Sequence, residues 1–283
     1  VVEKDVERDT NDSAYEQILY DNHKIKYIEE EIIAKIDLSK FTWSATSFKT
    51  YLQCKRKFYL QYVLKLKEHS ISLKPKAYEL GDIIHSILED YYTLDENNIE
   101  LSFEKIEFLF NKYKSSNPFL ILDLEIWKKK LYEFYLLDKE RLTHRKIIAL
   151  EKSFSCEFEG IQIKGVIDRI DSYEDKYEVI DYKTSATLSV DTLKNYDKTD
   201  DFQLEFYYLA MSEMYKTDKI EAYYYDLNNT QLINEIALDK KLELLCEKFN
   251  ELKEISKNEI SFSKCEDKTN CTYCAYSIIC NRE

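Results

Sequence analysis

Glycine and proline are nearly missing from this chain, with three glycines and two prolines among 283 residues. So small a supply excludes collagen-like, proline-rich and Gly/Ser-linker architectures, and it ties each remaining glycine to a particular backbone demand. No apolar run approaches the ~18 residues of a membrane-spanning helix. The first residues, VVEKDVERDTNDS, have neither a starting methionine nor the apolar stretch of a signal peptide. The expectation is a cytoplasmic globular piece cut from a longer chain, with no membrane association. Positive charge is also scarce: 41 Lys and Arg against 54 Asp and Glu give a formal net charge of −13. That argues against a broad electrostatic footprint for nucleic acid and leaves room only for a local one.

Hydrophobic residues make up 44% of the chain, ample for a large core without disulfide support. Seven cysteines without secretory features read as free thiols or metal ligands. Residues 1–40 are acid-rich and lack Gly and Pro, which reads as a lead-in or linker, with a domain boundary near Phe41. Ser44 or Thr46 should cap a helix running to about Leu66, and a second should follow Pro75 through Tyr92. Helical periodicity returns at 101–114. It returns again over 118–145, where the apolar residues read simply as core. The pattern then changes to strands at 147–158, 161–171 and 177–184, an antiparallel meander turning at Glu159-Gly160 and at 172–176. A helix at 201–216, short strands at 219–227 and 231–237, and a helix at 239–257 complete an α/β arrangement.

Within the meander, GVIDRID and VIDYKT each set an aspartate among Val and Ile. Alternation places Asp168 with Val166 and Ile170, and Asp181 with Val179 and Lys183. Two acids and a lysine that converge suit hydrolysis of a phosphodiester with a hard divalent cation. Asp168, Asp181 and the Tyr182 carbonyl offer oxygen ligands to Mg²⁺ or Mn²⁺, and Lys183 can orient the attacking water. An Asp-x-Lys alone is also what an exposed ion pair on an edge strand looks like. Three further features add weight: Gly81-x-x-x-His85 on a helix, whose imidazole could reach a metal; Gln203-x-x-x-Tyr207 on one helix face; and Glu151 on the preceding strand, a carboxylate for the metal's outer surroundings or for a second ion.

Cys271, Cys274 and Cys280 stand in C-x2-C-x5-C spacing, an incomplete set for a four-ligand site. The fourth ligand is Cys54, near the other end of the chain, or the closer Cys265, and spacing does not choose between structural zinc and iron–sulfur. Cys54 lies within KTYLQCKRKFYLQYVLKLK, a stretch without an acid, where Lys55, Arg56 and Lys57 are candidates for guiding a DNA backbone. The same stretch is equally an amphipathic helix with solvated lysines.

Assembled, Gly81-x-x-x-His85, Gly165-Val-Ile-Asp168, Asp181-Tyr-Lys183-Thr, Gln203-x-x-x-Tyr207 and the split cysteine set resemble the PD-(D/E)XK nuclease superfamily over about residues 44–283. The likeness is to its RecB-like, iron–sulfur-bearing branch, in particular AddB-like domains of helicase–nucleases that resect double-strand breaks. The resemblance implies a restriction-endonuclease-like core, a mixed central sheet flanked by helices, with a helical insert and a cysteine-clamped tail. It implies a metal site of His85, Asp168, Asp181 and the Tyr182 carbonyl with Lys183 as catalytic partner, and a [4Fe–4S] cluster on Cys54, Cys271, Cys274 and Cys280. It further implies a DNA exonuclease, acting on single strands delivered by a helicase partner. A stand-alone CRISPR-associated exonuclease of the same branch and a catalytically silent DNA-binding or scaffolding relative are the alternatives. A redox protein would rest on the cysteines alone.

Overall fold

The computed structural model describes residues 31–67, 77–93, 102–113, 115 and 117–282. Most of the acidic lead-in and the helix start at Pro75 lie outside those residues. In chain order the elements are β1 (Ile33–Ala34), α1 (Ala45–Gln53), α2 (Lys55–Phe58), α3 (Ala77–Tyr92), α4 (Phe103–Lys112), α5 (Pro118–Arg141), β2 (Lys146–Phe158), β3 (Ile161–Tyr173), β4 (Lys176–Lys183), α6 (Gln203–Tyr215), β5 (Ile220–Asp226), β6 (Gln231–Asn234), α7 (Leu238–Ile255) and β7 (Ile260–Ser261). Strands β2 to β6 form one sheet in sequence order, antiparallel except for the parallel β4–β5 pair. A parallel pair needs a crossover, and α6 supplies it. Strand β1 pairs with β7, and Leu38 is fully buried, so residues 33–40 pack onto the same body.

Each face of the sheet buries its own core. Ile161, Ile163, Ile167 and Val179 meet α1, α6 and α7 through Phe48, Phe206 and Phe249. On the other face Ile180, Tyr182 and Tyr225 meet α3, α4 and α5 through Ile84, Leu109 and Phe134. Each such side chain, fully buried, contributes roughly 1.5–3 kcal/mol.

The strand and helix expectations hold in outline and fail at two points. The meander and its Glu159-Gly160 turn are as the alternation predicts. The first expected helix, however, breaks at Cys54, whose backbone is extended (φ −159°, ψ 106°) and whose Sγ accepts from the Lys57 amide at 3.4 Å. After the break the Arg56 amide bonds the Ser263 carbonyl at 3.0 Å, so a tertiary contact replaces a helical one. Helix α5 also departs from expectation. Leu120, Leu124, Trp127, Leu131 and Phe134 are core, but Phe119, Leu122, Ile126 and Leu136 are exposed on other faces. The apolar residues surround this helix, whereas a single sheet face can cover only one side of it.

Candidate active site

The antiparallel β3–β4 ladder runs from Tyr173–Lys176 to Arg169–Ile180 and stops there. Beyond that point β3 stays paired with β2 while β4 stays paired with β5 out to Lys183–Asp226. The strands part, and the Tyr182 amide, freed from the ladder, donates to Asp168 Oδ2 at 2.8 Å. The opening holds the site. Helix α3 closes on it: a Cβ at Gly81 would stand 3.3 Å from Thr184 Oγ1, so a bulkier residue there would push the helix from the strand end. At Gly165 a Cβ would strike the Phe154 ring at 2.7 Å, and that ring, resting in the space, packs edge-on to Tyr207.

His85, one turn beyond Gly81, directs Nε2 to the Tyr182 carbonyl at 3.1 Å and lies with Nδ1 3.5 Å from Asp168 Oδ2. Glu151 lies across from Asp168, between the pairs Leu150–Arg169 and Lys152–Ile167. Its φ of 43° is uncommon for a residue with a side chain, and strain of that kind concentrates at functional sites. One ligand atom each from His85, Glu151 and Asp168 lie within 4.8 Å of one another. Two neighbouring ligands of an octahedral Mg²⁺, at bonds of 2.0–2.1 Å, stand about 3 Å apart, close to the His85–Tyr182 separation. The donor set fits a divalent cation.

Asp181 is held by Lys183, Gln203 and Tyr207. Lys183 Nζ pairs with its Oδ2 at 2.7 Å, while its Oδ1 accepts from Gln203 Nε2 and from the Tyr207 hydroxyl at 3.2 Å. Lys183 Nζ also donates to Gln203 Oε1 at 2.8 Å, and Gln203 Nε2 to the Tyr207 hydroxyl at 2.9 Å. Gln203 and Tyr207, which share one helix face, therefore clamp the acid–lysine pair. Glu151 stands beside Asp168 in the close donor group, and Asp181 reaches the same opening through its pair with Lys183.

Burial lowers the His85 pKa below its usual range, which keeps a neutral nitrogen available to a metal. Burial, reinforced by Asp181, raises Asp168 well above the ordinary carboxylate range. Glu151 is pushed up to about 7 by burial, with Glu89 and Asp181 adding to the shift. Burial pulls the Lys183 ammonium down, but Asp181 outweighs it and the net shift is upward. Outside these residues the cleft is lined by Tyr78, Asp82, Ser86, Glu89 and Thr184. Glu89 was not anticipated, although it follows His85 by one helical turn and so shares its face.

Residues 42–281 match the profile of the PD-(D/E)XK nuclease superfamily. The chain belongs to this superfamily. Members use divalent metals, in keeping with the His–Glu–Asp donor group. Similar curated proteins include a subunit of the ATP-dependent helicase/deoxyribonuclease of Streptococcus uberis, 29% identical over 54% of this chain and 14% of the relative. The corresponding polypeptide of Staphylococcus carnosus is 24% identical over 72% of this chain and 20% of the relative. The chain thus spans a fifth or less of these relatives' lengths. Among solved structures, a putative exonuclease from Eubacterium rectale aligns at a TM-score of 0.49 and 13% identity, over 80% of this chain and 86% of that one.

In this member of the superfamily Cys54, Cys265, Cys271, Cys274 and Cys280 line one pocket. The four expected cysteines do come together, and Cys265 joins them, its Sγ 3.7 Å from that of Cys271. Burial, with the nearby Cys54 and Cys271 thiols, pushes Cys265 up to about 12. Of the three cations expected to face DNA, Lys55 is exposed and Lys57 lines the cysteine pocket. Arg56 does not fit that role, because it is only 8% exposed and its Nε donates to the Phe262 carbonyl at 2.7 Å. Its charge lies close enough to lower the neighbouring Cys280 thiol against the effect of burial. No helix among the described residues is long and apolar enough to cross a membrane.

Proposed function

We propose that this chain is the nuclease domain of an AddB-type helicase–nuclease subunit, an exonuclease that hydrolyses phosphodiester bonds with Mg²⁺ or Mn²⁺. Its substrate is single-stranded DNA delivered by an AddA-like helicase partner during resection of double-strand breaks. Residues 41–283 carry the nuclease domain and residues 1–40 lead into it, with 33–40 already packed on its body. The observation that carries this reading is the opening between β3 and β4, where His85, Glu151, Asp168 and the Tyr182 carbonyl gather beside a clamped Asp181–Lys183 pair.

In this reading His85, Asp168 and the Tyr182 carbonyl hold the ion together with Glu151, and Asp181 lies beside them. A bound divalent cation acidifies a water toward neutral pH and polarises the phosphoryl oxygen. Lys183 steers that water and balances negative charge that grows on the phosphoryl oxygens. Gln203 and Tyr207 fix the direction in which Asp181 holds Lys183, so that its ammonium is aimed before substrate arrives. A catalytically silent scaffold would have little use for such an arrangement.

The thiol pocket supports a [4Fe–4S] cluster on Cys54, Cys271, Cys274 and Cys280, with structural Zn²⁺ as the alternative for the same soft donors. Such a site would fasten α1 and α2 to the C-terminal segment, which makes metal binding part of folding. Cleavage of labelled single-stranded DNA, with and without Mg²⁺ or Mn²⁺, tests the reading. Lys183→Ala should lower the rate by about 10²–10³, the usual effect of removing one preorganised charge. Full activity in Asp181→Ala would end the assignment, and the visible spectrum of the anaerobically purified protein separates iron–sulfur from zinc.

A further inference from the structure

Arg56 is turned inward and Lys49 is paired to Asp201 at 2.7 Å, so two of the six cations in the acid-free stretch are engaged within the protein. The C-terminal segment offers a second basic group. An open pocket of about 510 Å³ is lined by Lys268, Thr272, Ser277, Asn281 and Arg282 beside Cys271, with no carboxylate among the described residues. That volume falls within the ~300–1,000 Å³ of small-ligand sites. In a chain of net charge −13, a wall made only of cations, hydroxyls and an amide is a local reversal of sign. Lys268 and Arg282 enter no salt bridge among the described residues. The acid nearest Lys268 in sequence, Asp267, directs Oδ1 to the Thr269 amide at 2.8 Å as the cap of a short turn. Next to Thr272, Tyr273 is 98% exposed, an aromatic ring standing in water.

We infer that this pocket binds the phosphodiester backbone of single-stranded DNA, with Tyr273 stacking on a neighbouring base; the inference rests on the DNA reading above. Guanidinium, ammonium and hydroxyl donors suit phosphate oxygens. A basic groove joined to an aromatic platform is how proteins hold single strands without reading sequence. The pocket is also placed to serve the active site. Ser277 and Arg282 border the cysteine pocket as well, together with Gln53 at the end of α1. Gln53 Nε2 bonds Asp200 at 2.7 Å, and Asp201 Oδ1 accepts from the amide of Gln203, the residue that holds Lys183. These contacts join the border of the pocket to the segment that carries Gln203.

The test is fluorescence anisotropy of a labelled oligothymidylate over a salt series, in the Lys183→Ala background so that bound DNA is not cut. Adding Lys268→Glu with Arg282→Glu should weaken binding at least tenfold and reduce the salt slope by about 1.4, two contacts at about 0.7 each. Tyr273→Ala, which cannot disturb packing, should weaken it about fivefold with the slope unchanged. Arg282→Lys should keep the slope, which separates loss of charge from loss of fold. In the otherwise native chain, the double reversal should slow cleavage of the oligonucleotide but not of bis(p-nitrophenyl) phosphate, which is too short to span both sites. Binding within twofold of the parent, at the parent slope, would overturn the pocket while leaving the nuclease reading in place. A parent chain that neither binds nor cuts DNA would remove both.

Discussion

Strands β3 and β4 bury a group of charges on each of their two faces, and the groups differ in balance. Toward the helical insert, three acids meet three bases. Arg169 bonds Asp138 at 2.9 Å and Asp171 at 2.8 Å, Arg141 bonds Asp171 at 2.6 Å and pairs with Glu178, and Arg145 bonds Glu178 at 2.8 Å. The Tyr92 hydroxyl donates to Asp138, and Arg169 lies over the Tyr92 ring. At the parted end of the same strands Asp168, Asp181 and Glu151 face a single firm cation, Lys183, and a His85 that burial keeps neutral. The first group is complete within the protein. The second is about two positive charges short, which is what one divalent ion carries. Burial of like charges is costly unless something neutralises them. The contrast therefore sets a charge-balanced network on one face against a group with unbalanced acids at the parted strand end on the other.

Variants can test that contrast directly. The largest expected effect is on rate. Asp168→Asn should lower cleavage by about 10³ or more and leave stability unchanged or raised, since it removes one of several crowded negative charges; steady-state cleavage and a denaturant titration check both halves. Asp171→Ala should do the reverse. It leaves three guanidinium groups of a buried network facing only two carboxylates, Asp138 and Glu178, at a cost of about 3–5 kcal/mol, with a much smaller effect on the rate of whatever protein remains folded. If the two variants exchanged these phenotypes, the roles assigned to the faces would be wrong.

Next in size is the response to metal. Mg²⁺ or Mn²⁺ at about 100 times its dissociation constant should stabilise the native chain by about 2.7 kcal/mol, and this gain should vanish in Asp168→Asn yet persist in Asp171→Ala. Thermal unfolding with and without EDTA measures it. The smallest effect concerns pH. Glu151 is raised from 4.5 to about 7, so the folded protein holds a proton there that the unfolded chain has released. Its contribution to metal-free stability is therefore present at low pH and lost as pH rises through about 7. Metal affinity should move the opposite way, weakening as pH falls below about 7 because the proton competes for the same oxygen. Glu151→Gln should flatten both trends, and unchanged trends in that variant would remove Glu151 from the site.

The motif residues were largely legible in the sequence because they reflect local rules. Strand alternation placed Asp181 and Lys183 together, helical spacing joined Gln203 to Tyr207, and the scarce glycines marked close approaches at Gly81 and Gly165. Glu151 was recognisable as a carboxylate near the site, but its membership of the donor group depends on where β3 leaves β4, and no alternation pattern encodes that point. The break at Cys54 was also invisible, since KTYLQCKRKF contains no residue that stops a helix. The contact of Arg56 with the 262–263 backbone produces it. The same contact turned a cation expected on the surface into a buried one.

By itself, then, the sequence determined the strand meander and the identity of the chemical groups, because periodicity and spacing act over a few residues, and its assembled motifs carried the resemblance to the superfamily. Tertiary structure decided which charges were left uncompensated, which cysteines shared a pocket and which cations remained free. Those outcomes depend on burial and on contacts between distant segments, and a linear pattern carries neither.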